Sequence, residues 1–261
     1  MNFIQPSIDP VIFSFSFIDI RWYSLAYIFG LLFGLMLIKR LNKINGDLIK
    51  INQLDNFFIW AVIGIILGGR IGYVILYQIN EFLNNPLYIF EIWNGGMSFH
   101  GGLIGVIVFT IFYAKKNNLN KFIFLDLISA SAPIGIFLGR ISNFINSELY
   151  GKQTDVFWSV IFPKIDDVGR HPSQIYEALL EGVVLFVILF LLIKKNYLLR
   201  PGLISAFFLI FYSIFRFISE FFRVPDEQLG FIYLNLTMGQ IISLFFLIFG
   251  FYLFLVKKNE N

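Results

Sequence analysis

Long apolar runs dominate this chain, and polar and basic residues gather between them. Runs close to the length that crosses a bilayer, about 17–25 residues, fall at about 22–38, 57–79, 98–114, 122–140, 175–193, 202–221 and 237–256. This pattern predicts seven transmembrane helices, and an odd number of crossings puts the two termini on opposite sides. Ahead of the first run, residues 11–20 read Val-Ile-Phe-Ser-Phe-Ser-Phe-Ile-Asp-Ile. Ser14 and Ser16 give this stretch the two-residue alternation of a strand, so it is either a short surface strand or an interfacial segment. The first basic residue is Arg21, so the basic start of a cleavable signal peptide is missing and none is expected.

Small residues recur at four-residue spacing within the runs: Gly30 and Gly34, Gly64, Gly68 and Gly72, Gly101 and Gly105, Gly135 and Gly139. On helices this spacing lets backbones approach closely, so these glycines are read as packing positions. The chain shows no internal repeat and no inverted symmetry between its halves, which argues against a secondary transporter.

Composition fixes the class. Of 261 residues, 57% are hydrophobic and 14% charged, against about 25% charged in a soluble domain. The fold expected is an all-α integral membrane protein of about seven transmembrane helices with a small extracytoplasmic head region, one polytopic membrane domain over residues 1–261. The 34 Phe and 12 Tyr suit lipid contact and aromatic belts. With no cysteine, the chain has no disulfide, thiolate nucleophile or thiolate metal site. Its two histidines, His100 and His171, leave little for a histidine metal site, so no metal and no cofactor are expected.

The net charge of +3 matters less than its placement. One set of loops carries twelve basic residues: Lys39, Arg40, Lys43, Lys50, Lys115, Lys116, Lys121, Lys194, Lys195, Arg200, Lys257 and Lys258. The other set carries five: Arg21, Lys152, Lys164, Arg170 and Arg223. The positive-inside rule therefore predicts an outer N-terminus and a cytoplasmic C-terminus, with extracytoplasmic segments at about 1–21, 80–97, 146–173 and 222–236. Because the basic residues flank the membrane, nucleic-acid binding has no support.

Charged and amide groups are costly at membrane depth, so where they cluster they pair, meet water or hold a polar ligand. Arg140, Asn143, Asn146 and Glu148 stand within nine residues at the end of the fourth run. A guanidinium can grip two phosphate oxygens and amides add donors, so this group reads as an anion site; the plainer alternative is a structural Arg–Glu pair. Tyr212, Arg216 and Glu220 form a stripe at four-residue spacing on the sixth run, with Arg223 just beyond. His100 lies among glycines in Gly95-Gly96-Met97-Ser98-Phe99-His100-Gly101-Gly102, and a neutral imidazole there can take a proton. Arg170-His171-Pro172-Ser173 opens the fifth helix, with Pro172 suited to its first turn and His171 a weaker site residue. Arg70 needs a partner that the sequence does not name, and Tyr23 alone reads as an aromatic-belt residue.

Taken in order, Arg21-Trp22-Tyr23, Gly68-Gly69-Arg70-Ile71-Gly72-Tyr73, Gly95 to Leu103, Gly139 to Gly151, His171 to Glu177 and Arg216 to Arg223 resemble the bacterial prolipoprotein diacylglyceryl transferase family over essentially the whole chain. Ser142 and Ser147 depart from that family's usual glycines, and residues 152–170 form a shorter outer segment than is usual. The resemblance implies a bacterial inner-membrane enzyme with no cofactor. Its substrates would be phosphatidylglycerol and the lipobox cysteine of a prolipoprotein signal peptide. On that footing either His100 is the base or a cationic site lowers the thiol pKa with no dedicated base, and Arg140 and Arg216 are the phosphate-holding pair. Tyr23, Asn143, Asn146, Glu148, Gly151, Tyr212, Glu220 and Arg223 are the expected substrate-binding residues, with Glu148 and Glu220 orienting the arginines. The rival readings are a transporter or channel lined by the buried charges, and a structural scaffold.

Overall fold

The computed structural model describes residues 3–15, 18–91, 93, 95–225 and 230–260. Residues 1–2, 16–17, 92, 94 and 226–229, which belong to the expected outer segments, lie outside the described residues. Six helices are long and apolar enough to cross a membrane: α1 (Trp22–Ile44), α2 (Ile51–Tyr77), α4 (Phe99–Lys116), α5 (Lys121–Asn146), the continuous helical stretch Ser173–Lys194, and α9 (Met238–Glu260). A seventh, α8 (Leu203–Ser219), has 17 residues. At 1.5 Å per residue it spans about 25 Å, near the lower limit for a crossing. These seven match the seven apolar runs. Between α2 and α4 the chain makes the short helix α3 (Ile79–Asn84) and a 3-10 turn, Pro86–Phe90.

The fifth crossing is not one uniform helix. It comprises α6 (Ser173–Glu177), a π-helical segment Ala178–Val184 and α7 (Leu185–Lys194). Pro172 stands one residue before α6, at the N-cap. Apolar periodicity does not reveal the π-helical segment, because its residues stay apolar around Glu181.

Within the stretch read as strand or interfacial segment, residues 11–15 and 18–21 form strands. β2 (Val11–Phe15) pairs antiparallel with β3 (Ile18–Arg21), and Ser14 Oγ donates to Asp19 Oδ1 at 2.8 Å. β1 (Phe3–Ile4) pairs parallel with β4 (Val160–Ile161), which pairs antiparallel with β5 (Gly169–Arg170). β6 (Phe231–Tyr233) and β7 (Leu236–Thr237) form a hairpin running into α9. There Gln240 N donates to Thr237 Oγ1 at 3.3 Å and Thr237 N to Gln240 Oε1 at 3.1 Å, a reciprocal capping box.

The chain divides into two compact units, one of residues 1–40 and 126–261, the other of residues 41–125. In the second, α2 and α4 pack through glycine. A Cβ at Gly72 would lie 2.7 Å from the Gly101 Cα, and one at Gly64 would lie 2.9 Å from the Gly105 carbonyl oxygen. Only glycine at these positions permits such an approach, as the four-residue spacing predicts. Phe57, Tyr113 and Phe124 pack beside them, with the Phe57 and Phe124 ring centres 4.5 Å apart. Arg70, buried in the same unit, gives Nε to the Ile89 carbonyl at 3.2 Å, Nη2 to the Tyr88 carbonyl at 2.7 Å, and Nη1 to the Gly95 carbonyl. It fastens the loop after α3 to α2.

In the larger unit α8 packs on α9, and α1 meets α5 where a Cβ at Gly30 would lie 3.2 Å from the Gly135 Cα. Asp126, fully buried on α5, caps the start of α8. Its Oδ2 accepts from Gly202 N at 2.6 Å, and its Oδ1 accepts from Ser205 N at 2.7 Å and Ser205 Oγ at 2.6 Å. A charged acceptor is suited to the unsatisfied N–H groups and positive dipole end found there.

Candidate active site

The end of α5 sets the first group of residues. Ser147 N donates to Phe144 O at 3.2 Å and Glu148 N to Asn143 O at 2.9 Å, the paired bonds of a Schellman motif. Ser147 takes the left-handed conformation at its C′ position, φ 60°, where glycine is favoured because it has no Cβ to clash. What serine adds is a bond from its Oγ to Gln5 Oε1 at 2.7 Å, and Gln5 in turn donates through Nε2 to the Phe144 carbonyl. The turn folds Glu148 back over the helix end. Its Oε2 accepts from Asn143 Nδ2 at 3.0 Å and its Oε1 from Asn146 Nδ2 at 3.2 Å. Glu148 therefore orients two amides. The expectation that it orients an arginine is corrected, because the turn faces it toward Asn143 and Asn146. Asn146 keeps a buried Oδ1 with no hydrogen-bond partner among the described residues.

Arg140 lies two turns back on α5 and points to the fifth crossing. Its Nη1 is 2.8 Å from Glu177 Oε2 and its Nη2 3.2 Å from Glu181 Oε2. Arg216, on α8, reaches the same two carboxylates. Its Nη1 is 2.7 Å from Glu177 Oε1 and 3.7 Å from Glu181 Oε1, while its Nη2 is 2.6 Å from Glu220 Oε2. Glu177 thus bridges the two guanidiniums, one oxygen to each. Glu177 and Glu181 are both fully buried, and Glu181 sits in the π-helical segment. Such segments are rare and frequently mark functional sites.

Glu220 is held from the other side as well. Thr237 Oγ1 donates to its Oε1 at 3.0 Å, and a Cβ at Gly239 would lie 2.8 Å from its carboxyl carbon. The carboxylate thus sits against the start of α9, where the helix dipole favours negative charge. Arg223 Nη1 is 3.7 Å from Glu220 Oε2.

Tyr212, one turn before Arg216, lies in the electrostatic field of Arg140, Arg216, Glu177 and Glu181, its ring stacked on Phe208. On α1, Tyr27 Oη donates to Tyr23 Oη at 3.4 Å with the rings edge to face, and Tyr27 is within electrostatic reach of Arg140. Gly151 is buried under the strand-like bridge to Arg223. A Cβ there would lie 2.7 Å from the His171 Cβ and 2.8 Å from the Phe222 carbonyl oxygen, so the residue sets the backbone path.

The structure thus gathers Arg140, Tyr212, Arg216, Glu220 and Arg223 into one network, with Asn143, Asn146 and Glu148 at the end of the same helix as Arg140. His100 belongs to the unit of residues 41–125. It is exposed on the first turn of α4, where the Ser98 side chain accepts from Gly101 N at 3.2 Å. Sequence reasoning missed Glu177, Glu181 and Tyr27. The signal for the two glutamates was present, since they stand four apart within an apolar run and so share a helix face.

His171 falls into an aromatic group instead. Trp158 Nε1 donates to Tyr176 Oη at 2.6 Å, and Tyr176 Oη is 3.1 Å from His171 Nδ1. Burial, helped by the Lys152 charge, pushes the imidazole below the usual histidine range. A neutral ring with Nδ1 as acceptor completes the chain of bonds. Beside it Asp166 pairs with Arg170. Bonds from that guanidinium hold the carboxyl below the usual carboxylate range and raise the arginine above its own.

Chemically, the cluster presents two guanidiniums side by side, fixed by carboxylates that are themselves fixed. A guanidinium carries five N–H donors, and the glutamates occupy only part of each set. The remainder can bind an anion, and the planar fork suits phosphate oxygens.

The chain matches the model of the family described as prolipoprotein diacylglyceryl transferase over residues 10–256. It is 47% identical over 256 residues to the phosphatidylglycerol–prolipoprotein diacylglyceryl transferase of Rickettsia bellii, covering 98% of this chain and 97% of that protein. To the protein of that name from Azospirillum brasilense it is 49% identical, covering 95% and 94%. To that from Aeromonas hydrophila it is 47% identical, covering 93% and 88%. With seven apolar helices, a paired-arginine cluster and this match along nearly its full length, the chain belongs to the prolipoprotein diacylglyceryl transferase family.

Proposed function

We propose that this protein transfers the diacylglyceryl group of phosphatidylglycerol to the lipobox cysteine thiol of a prolipoprotein. The glycerol carbon–oxygen bond to phosphate breaks, a carbon–sulfur bond forms, the thiol proton leaves and glycerol phosphate departs. The observation that carries this reading is the pair Arg140 and Arg216, bridged by Glu177 at 2.8 and 2.7 Å within an apolar helical unit. A lipid donor accounts for the membrane setting and a phosphate leaving group for two adjacent arginines. The nucleophile comes from the substrate, so a chain without cysteine suffices.

In this reading Arg140 and Arg216 hold the headgroup phosphate and stabilise the charge that grows on it. Removing one such donor costs about 3–4 kcal/mol in related chemistry. Asn143, Asn146 and Glu148 position the headgroup, Tyr23 and Tyr212 add hydroxyl contacts, and Glu177, Glu181 and Glu220 keep the guanidiniums in place. A free thiol titrates at about 8.5, so only a few per cent is thiolate at neutral pH. Either His100 takes the proton as attack occurs, or a cationic site lowers the thiol pKa with no dedicated base. The protein is a multi-pass protein of the bacterial inner membrane. The twelve basic residues on one set of loops support a cytoplasmic C-terminus, with the N-terminus and a small head formed by the outer segments on the other side.

The test is to incubate purified protein with phosphatidylglycerol and a lipobox peptide and to seek the diacylglyceryl adduct by mass spectrometry. Absence of adduct under every lipid condition overturns the reading. Arg140→Ala is expected to lose nearly all transfer while its level in the membrane holds, and full activity in that variant rules out the clamp.

A further inference from the structure

Carboxylates already meet the guanidiniums of the cluster before any phosphate arrives. Among the described residues, three carboxylates, Glu177, Glu181 and Glu220, face Arg140 and Arg216, and Arg223 lies 3.7 Å from Glu220. A phosphodiester adds one negative charge. Arg140 and Arg216 are largely buried, and Glu177 and Glu181 wholly so. Surplus charge at such depth is expensive unless something neutralises it. A proton on one carboxylate does so at no cost in geometry.

The three carboxylates are not equally held. Glu177 meets both arginines at 2.7 and 2.8 Å. Glu220 has Arg216 at 2.6 Å and the Thr237 hydroxyl at 3.0 Å. Glu181 is 3.2 Å from Arg140 and 3.7 Å from Arg216, the longest approach to a guanidinium of the three, while each of the three carboxylates has one buried oxygen with no hydrogen-bond partner among the described residues. The groups facing it are Arg140 on α5, Arg216 and Tyr212 on α8, and Glu177 one turn earlier. Its anionic form has least to lose.

We propose that Glu181 is the proton-carrying member of the cluster, taking up one proton when an anionic phospholipid headgroup binds Arg140 and Arg216 and releasing it when the phosphate leaves. This rests on the phosphate-clamp reading above. Protonation also turns an acceptor-only group into a donor, so the same event weakens its hold on Arg140 and frees guanidinium N–H groups for phosphate.

The experiment measures binding of short-chain phosphatidylglycerol to the purified full-length protein in detergent across neutral and alkaline pH, where the phosphodiester stays ionised. Calorimetry in two buffers of different ionisation enthalpy counts protons. The unaltered protein is expected to take up one proton per lipid, with affinity falling about tenfold per pH unit on the alkaline limb. Glu181→Gln is expected to bind with no proton uptake and a flat profile, and Glu177→Gln to keep the slope. A flat profile with no proton uptake in the unaltered protein overturns the proposal without recourse to any variant. So does a Glu181→Gln profile that slopes as the unaltered protein does. The clamp itself fails by a separate result, phosphatidylglycerol affinity unchanged in both Arg140→Gln and Arg216→Gln.

Discussion

Glu177 is the hinge of the charge network, and replacing it with glutamine tests the network's architecture. The substitution keeps size and one acceptor but removes the charge that bridges Arg140 at 2.8 Å and Arg216 at 2.7 Å. Each charge-assisted hydrogen bond contributes about 1.5–3 kcal/mol, and breaking a buried ion pair from one side costs about 3–5 kcal/mol. Part of that loss is absorbed, because Arg140 keeps Glu181 at 3.2 Å and Arg216 keeps Glu220 at 2.6 Å. Glutamine also still accepts one bond. The expected cost is therefore about 2–3 kcal/mol, read from reversible unfolding in mixed micelles. Arg216→Gln and the double variant complete a thermodynamic cycle. Contacting residues couple by about 0.5–3 kcal/mol, and the 2.7 Å contact predicts at least about 1 kcal/mol, the double variant being less damaged than the sum of the singles. Effects that add to within about 0.5 kcal/mol refute the bridge.

At Ser147 two effects oppose each other. The left-handed φ of 60° costs serine about 1–2 kcal/mol that glycine avoids, while the Oγ bond to Gln5 at 2.7 Å is lost in either Gly or Ala. Ser147→Gly is thus expected to unfold about 1–2 kcal/mol later than Ser147→Ala, and equal stability of the two refutes the strain. Asp126→Asn removes the charge that caps α8 through Gly202 and Ser205, and should cost about 2 kcal/mol in the same unfolding assay. In the Asp166–Arg170 pair the carboxyl is held below its unfolded value. Its contribution is complete above the ordinary aspartate value of about 3.9 and is lost as pH falls through the folded one. Protease cleavage within residues 152–170 should rise on acidification below about pH 4 in the unaltered protein, and Asp166→Asn should remove that dependence.

The membrane-spanning segments were legible because hydropathy is a local property and the bilayer fixes the length each run must have. For the same reason the glycine spacing marked positions of close helix packing, while which helices meet there, α2 and α4, was seen only in the structure. Arg140 and Arg216 stood out because a charge in an apolar run is conspicuous residue by residue. Their partners were not legible in the same way. Glu148 is eight residues from Arg140 in the chain, yet a Schellman turn at Ser147 gives it to two amides. Glu177 and Glu181 are remote in sequence from both arginines and meet them only because three helices bring their polar stripes to one line. Arg70 likewise takes carbonyls from a loop some 18 residues or more along the chain. The choice of strand at residues 11–15 waited on a pairing partner at residues 18–21. By itself the sequence determined which segments enter the membrane and which side chains are charged there, since transfer from water to lipid is settled position by position. Which charge neutralises which was decided by the tertiary structure, since an ion pair depends on a few ångströms between atoms on separate helices.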